Sequence, residues 1–271
     1  MREKIDRVLG VILIGNNLVN ISASALLTYF VNDDEIKDYF KIHNFNGKKK
    51  EMLLVPKQYL KDSKDTLLIS ISEISNDFDA CYLGAVARTK INSECNITYE
   101  TGLVDFSQVE SFTLGMLLSG YKFDKYLSKK KDSEEITLDK SIIKSEQQIT
   151  RDAIFFVRDL VNTPTLDKTP EYFIDEVKKL IENEDISLDI HNKGWLQKEG
   201  FGGVIGVSQG SAKEPYLLVG EYNKSAKFKV SIIGKGVLFD TGGYSLKSPS
   251  GMETMKTDMA CLLYTSDAAD E

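Results

Sequence analysis

The chain has 271 residues, with 34 Lys plus Arg against 41 Asp plus Glu, and a formal charge of -7. Hydrophobic residues make up 42%, which excludes a disordered or collagen-like chain, and the acidic balance argues against a nucleic-acid or anionic-membrane partner. No run approaches the roughly 20 apolar residues of a membrane span.

Three cysteines, Cys81, Cys95 and Cys261, lack metal-ligand spacing and suggest no disulfide framework, so a reducing cytoplasm is the default. With only His43 and His191 as histidines, a metal site must rely on carboxylates or on something less usual. Both histidines, Trp195 and the Tyr and Phe residues are read as ordinary packing, and Cys81 and Cys95 as structural thiols.

Residues 8–14 form a short apolar run without a signal-peptide cleavage pattern and are read as the first strand. Met52–Val55, residues 66–72 and residues 96–100 are further strands. A helix is predicted over 77–89, with Phe78, Tyr82, Ala85 and Val86 near one face, and another over 109–118. Such alternation predicts an α/β domain with a mostly parallel sheet. The stretch 128–135 carries both signs of charge and reads as a solvated loop, placing a domain boundary near residue 140.

A long helix follows, with Ser145 and Gln148 as a capping box and Ile149, Ala153, Phe156, Val157 and Leu160 as its apolar stripe. Asn162-Thr163-Pro164 ends it. Thr169 is the N-cap of the next helix, Pro170 its first residue, and Phe173, Val177, Leu180 and Ile181 its buried face. Residues 188–190, 216–219 and 229–233 read as strands of a second α/β unit.

The residues from Gly234 to Asp258 carry the chemistry. Glycines flank Lys235 and follow Asp240, which lets the backbone turn tightly and approach a ligand. Two lysines and two aspartates among small neighbours at a strand end make a polar site. A phosphate loop needs Ser or Thr after its lysine, and here Gly236 follows Lys235. A purely structural glycine turn fits the same residues.

The segment resembles the signature of the leucyl aminopeptidase family, the M17 cytosol aminopeptidases. The matching pieces are Gly234-Lys235-Gly236, Phe239-Asp240-Thr241-Gly242-Gly243, Lys247 and Glu253-Thr254-Met255-Lys256-Thr257-Asp258-Met259. Upstream, residues 158–164, Thr169-Pro170-Glu171-Tyr172, residues 206–211 and Glu214-Pro215 resemble the family too. The resemblance covers residues 105–260.

It implies a macro-like N-terminal α/β domain at 1–140, followed over 141–260 by the first part of an α/β metallopeptidase catalytic domain. It further implies a cytoplasmic, homohexameric metalloprotease that removes N-terminal residues, of leucine type, from peptides. Two divalent ions per subunit, Mn²⁺ or Zn²⁺, are expected. Lys235 and Asp258 would bind one, Asp240 would bridge both, Lys247 would be the catalytic residue at the oxyanion, and Met255 would line the substrate side-chain pocket. A lysine can ligate only when neutral, and a nearby dication depresses its pKa in that direction. A non-catalytic homologue, or a nucleic-acid or nucleotide-binding module formed by the N-terminal domain, is the alternative.

Residues 261–271 read as foreign and resemble the in-frame translation of a transposase-type sequencing adapter. Removing them takes away Asp267, Asp270 and Glu271, so the charge becomes -7 + 3 = -4. The family's later Asn-Thr-Asp-Ala-Glu-Gly-Arg motif is not matched by Thr265–Glu271, which has the wrong order and no arginine. The chain as written is therefore expected to be a truncated fragment without peptidase activity.

Overall fold

The computed structural model describes residues 10–14, 30–46, 51–61, 66–70, 76–90, 96–99, 106–129 and 144–262. The chain divides into one unit over residues 1–155 and a second over 156–271.

The first unit contains a four-stranded sheet of β1 (Gly10–Ile14), β2 (Met52–Val55), β3 (Thr66–Ser70) and β4 (Asn96–Tyr99), in the order β2-β3-β1-β4. β1 lies parallel to both β3 and β4, and β2 runs antiparallel to β3 along the edge. Helix α1 (Asp33–Ile42) starts where the Asn32 side chain accepts from the backbone N–H of Asp34 and Glu35, satisfying two donors that the helix cannot. Its inner face joins Phe30, Ile36, Phe40 and Phe45 to Val55, Leu60 and Leu68 in one core cluster. Phe30 meets Phe40 edge to face at 5.8 Å between centroids, a favoured aromatic geometry.

Helices α2 (Asp77–Arg88) and α3 (Phe106–Leu118) pack against each other through glycine. A Cβ on Gly84 would lie 1.9 Å from the Phe112 carbonyl oxygen, and one on Gly115 would lie 1.8 Å from that of Cys81. This close approach corrects the expected face of α2. Ala80, Leu83, Gly84 and Ala87 are buried, while Phe78 is 79% exposed and Tyr82 is exposed as well. Small residues let two backbones meet, and the large aromatics cannot.

Helix α4 (Ser145–Asn162) begins one residue earlier in register than its capping pattern implies. Gln147, not Gln148, turns back to accept from the Lys144 N–H at 2.9 Å, and its amide donates to the Glu110 carbonyl at 2.6 Å. Of the expected stripe, Leu160 is buried, whereas Ile149 and Ala153 are exposed. In α5 (Pro170–Ile181) the Thr169 hydroxyl accepts from the Tyr172 N–H and Pro170 is the first residue, as the sequence implies. The buried residue there is Ile174, while Leu180 is exposed.

β5 (Ile186–His191) and β6 (Leu217–Tyr222) form an antiparallel pair. Between them lie α6 (Lys193–Lys198) and α7 (Gly202–Ser208). Residues 229–233, expected as a strand, form none in this structure. No neighbouring strand among the described residues pairs with them, and a strand exists only through its ladder. Phe228, Val230, Ile232 and Ile233 are exposed accordingly.

Candidate metal centre

Asp240, Lys247 and Met255 are brought together by a closed loop. The Gly242 N–H donates to Asp240 Oδ1 at 2.7 Å, and the Lys247 N–H donates to the Thr241 carbonyl at 2.9 Å. Between these points Gly242 and Gly243 take φ of 88° and 67°, values open to glycine and costly for other residues. A Cβ on Gly242 would also sit 2.3 Å from the Ser245 carbonyl oxygen. The glycines flanking Lys235 do not enter this region of φ; the turning is done by Gly242 and Gly243.

With the loop closed, Lys247 Nζ lies 2.9 Å from Asp240 Oδ2 and 2.9 Å from Met255 Sδ. Met255 stands at the start of a 3-10 helix, Met255–Leu262, that also carries Asp258. Helix α8 (Pro249–Met252), capped by the Ser248 hydroxyl on the Gly251 N–H, leads into it. Asp258 Oδ1 accepts from Lys235 Nζ at 2.5 Å.

The site thus consists of two lysine–aspartate pairs, Lys235–Asp258 and Lys247–Asp240. They share one field. The hydrogen bond from Lys247 holds the Asp240 carboxyl below the ordinary carboxylate range, followed by the Gly242 N–H and by the charges of Lys247 and Lys235. The Asp240 carboxylate is therefore ionised and faces positive charge.

The Asp258 side chain is 13% exposed, and its Oδ2 is buried without a hydrogen-bond partner in the structure. A buried carboxylate oxygen left unpaired costs roughly 1–3 kcal/mol or more, and a cation would satisfy it. Among the described residues no three His, Cys, Asp or Glu gather as a metal cluster. The donor set this segment supplies is two carboxylates and one lysine, which suits a hard or borderline divalent ion. Of the five expected residues, Asp240 and Lys247 lie on this loop, Met255 and Asp258 on this helix, and Lys235, ahead of the loop, reaches Asp258 with its side chain.

One residue was not expected. Lys168 is only 1% exposed, and its Nζ donates to the Lys256 carbonyl at 2.6 Å. A lysine next to a helix cap carries no signal of burial in sequence.

Comparison with known proteins assigns part of the chain. Residues 155–265 match the model of the cytosol aminopeptidase family, catalytic domain. This segment belongs to the cytosol aminopeptidase family. The match runs past Ala260, so it does not set the first tail residues apart from the family. The chain is 32% identical over 244 residues to the probable cytosol aminopeptidase of Sinorhizobium medicae, covering 81% of this chain and 48% of that protein. It is 36% identical over 178 residues to the one of Clostridium tetani, covering 61% and 36%. The chain spans about half the length of the first of these relatives and less of the second.

Among solved structures, the cytosol aminopeptidase of Coxiella burnetii matches with a TM-score of 0.72 at 22% identity, covering 95% of this chain and 53% of that one. The bottromycin maturation enzyme BotP, solved in complex with Mn, matches with a TM-score of 0.71 at 20% identity, covering 93% and 52%. These likenesses show the α/β fold. No helix among the described residues is long and apolar enough to cross a membrane.

Proposed function

We propose that the protein carrying this segment is a metallo-aminopeptidase, with Lys235, Asp240 and Asp258 as its metal ligands in this chain. The observation that carries the reading is the pair of aspartates facing two lysines, with Asp258 Oδ2 buried and unpartnered. Asp240 would serve both of two divalent ions, Mn²⁺ or Zn²⁺, and Asp258 with neutral Lys235 would hold one of them. When bound, such ions lower the pKa of water and polarise the scissile carbonyl.

Lys247, which donates to Asp240 in this structure, would donate to the oxyanion that develops on the substrate carbonyl. Met255, touching Lys247 through Sδ, places a polarisable apolar wall beside the substrate side chain. That wall fits a leucine-type residue. A peptide's free amine anchors the N-terminal end, which restricts cleavage to that end. The reading includes a cytoplasmic homohexamer, residues 1–140 as an N-terminal domain, 141–260 as catalytic domain and 261–271 as a foreign tail.

The test is hydrolysis of a leucine chromogenic substrate by this sequence extended to the length of its relatives. Mn²⁺-dependent release is expected, with none from the N-acetylated substrate. Residues 1–271 alone are expected to be inactive. Cleavage of both substrates, or of neither, would refute the reading.

A further inference from the structure

The Met255–Leu262 helix carries two of the site residues, yet its own turns are 3-10, which hold less firmly than α-helical ones. Something else fixes it. The segment before α5 is a tight turn in which the backbone N–H groups of Asp167 and Lys168 both donate to the Pro164 carbonyl, at 3.0 and 2.9 Å. α5 itself is fixed at its start by the Thr169 cap. From this rigid corner the Lys168 side chain reaches inward, fully buried, and its Nζ donates to the Lys256 carbonyl. Lys256 lies between Met255 and Asp258 in sequence, so the bond anchors the turn that presents both.

A buried ammonium is costly. Burial pushes the Lys168 pKa down to about 8, and the nearby charge of Lys256 pushes the same way. An apolar side chain of similar length would fill the space without that cost. The charge therefore needs a reason other than packing, and among the described residues its Nζ donates to the carbonyl of the ligand-bearing turn.

We propose that Lys168 is a positioning residue, whose buried ammonium clamps the Lys256 carbonyl and sets the turn that aims Asp258 at the metal and Met255 at Lys247. The part concerning the metal rests on the aminopeptidase reading above, and the clamp itself does not.

The experiment uses the chain of residues 1–271 and two readouts. Hydrogen exchange of the peptide spanning 255–262 reports the clamp without metal. Loss of the free Mn²⁺ signal in electron paramagnetic resonance reports the site. Lys168→Met should leave the exchange of α5 and β5 unchanged, speed that of 255–262 by about tenfold, and weaken Mn²⁺ binding by about tenfold or more. Lys168→Arg, which keeps a cationic donor, should recover part of both. Unchanged exchange of 255–262 in Lys168→Met would overturn the proposal. Global unfolding of both variants would overturn it equally, since Lys168 would then serve the whole unit and not the turn. Asp258→Asn separates the two readings. If it leaves Mn²⁺ binding unchanged, the metal reading fails, while the exchange result still decides the clamp.

Discussion

Lys247 Nζ lies 2.9 Å from Asp240 Oδ2, and the same nitrogen touches Met255 Sδ. Seven residues separate the lysine from the aspartate, and a backbone bond from Lys247 to Thr241 returns the chain on itself to make the pair. The lysine is thereby poised beside the carboxylate that the aminopeptidase reading assigns as the bridging ligand. Removing it should act on chemistry more than on metal. In the protein extended to the length of its relatives, Lys247→Ala is expected to lower kcat by about 10²–10³-fold with metal content close to wild type by elemental analysis. An unchanged kcat would remove its assigned role.

The same pair sets a titration. Lys247 is the largest cause of the lowered Asp240 pKa. In metal-free Lys247→Ala, the Asp240 carboxyl should therefore titrate at higher pH than in wild type, followed by carboxyl carbon chemical shifts. Because the wild-type carboxyl is held low, the pair is present above the ordinary carboxylate range and is lost as pH falls through the depressed value.

Gly242 tests the loop. Its φ of 88° and the 2.3 Å approach to the Ser245 carbonyl leave no place for a side chain. Gly242→Ala should cost about 1–3 kcal/mol or more and separate Lys247 from Asp240, read by denaturant unfolding and by the Asp240 titration. Gly243, with φ of 67° and open space around it, should tolerate alanine with strain only and a smaller loss.

Lys168 gives stability an unusual pH dependence. Its folded pKa, about 8, lies below the ordinary 10.5. Between those values the unfolded chain binds more protons, so stability contributed by this group rises with pH across that window and is lowest below pH 8. The difference in unfolding free energy between wild type and Lys168→Met should shift by about 1–3 kcal/mol in favour of wild type from pH 7 to pH 10. Denaturant titrations of both at the two pH values measure it, and a pH-independent difference would count against the burial.

The elements and the site were legible to different degrees. Thr169-Pro170 and Asn32 mark helix starts through local chemistry, and local chemistry is visible in sequence. The five site residues were legible only as spacing within a resemblance, and the loop then brought Lys247 to Asp240. What failed depends on tertiary partners. The buried face of α2 follows from Gly84 against Phe112, a contact no periodicity encodes. Residues 229–233 have strand composition but no neighbouring strand among the described residues. Lys168 is buried by a turn nearly ninety positions away, so nothing around it in sequence announces it. The tail beyond Leu262 and the first strand's residues 8 and 9 lie outside the described residues.

The account stands on Asp240 and Asp258 as metal ligands, and Mn²⁺ binding followed by the loss of its free electron paramagnetic resonance signal addresses that most directly. Wild-type residues 1–271 should bind the ion, with apparent affinity rising with pH because metal ligands bind deprotonated. Asp240→Asn and Asp258→Asn should each weaken binding by about tenfold or more. Equal binding by wild type and both variants, or none by wild type, would contradict it.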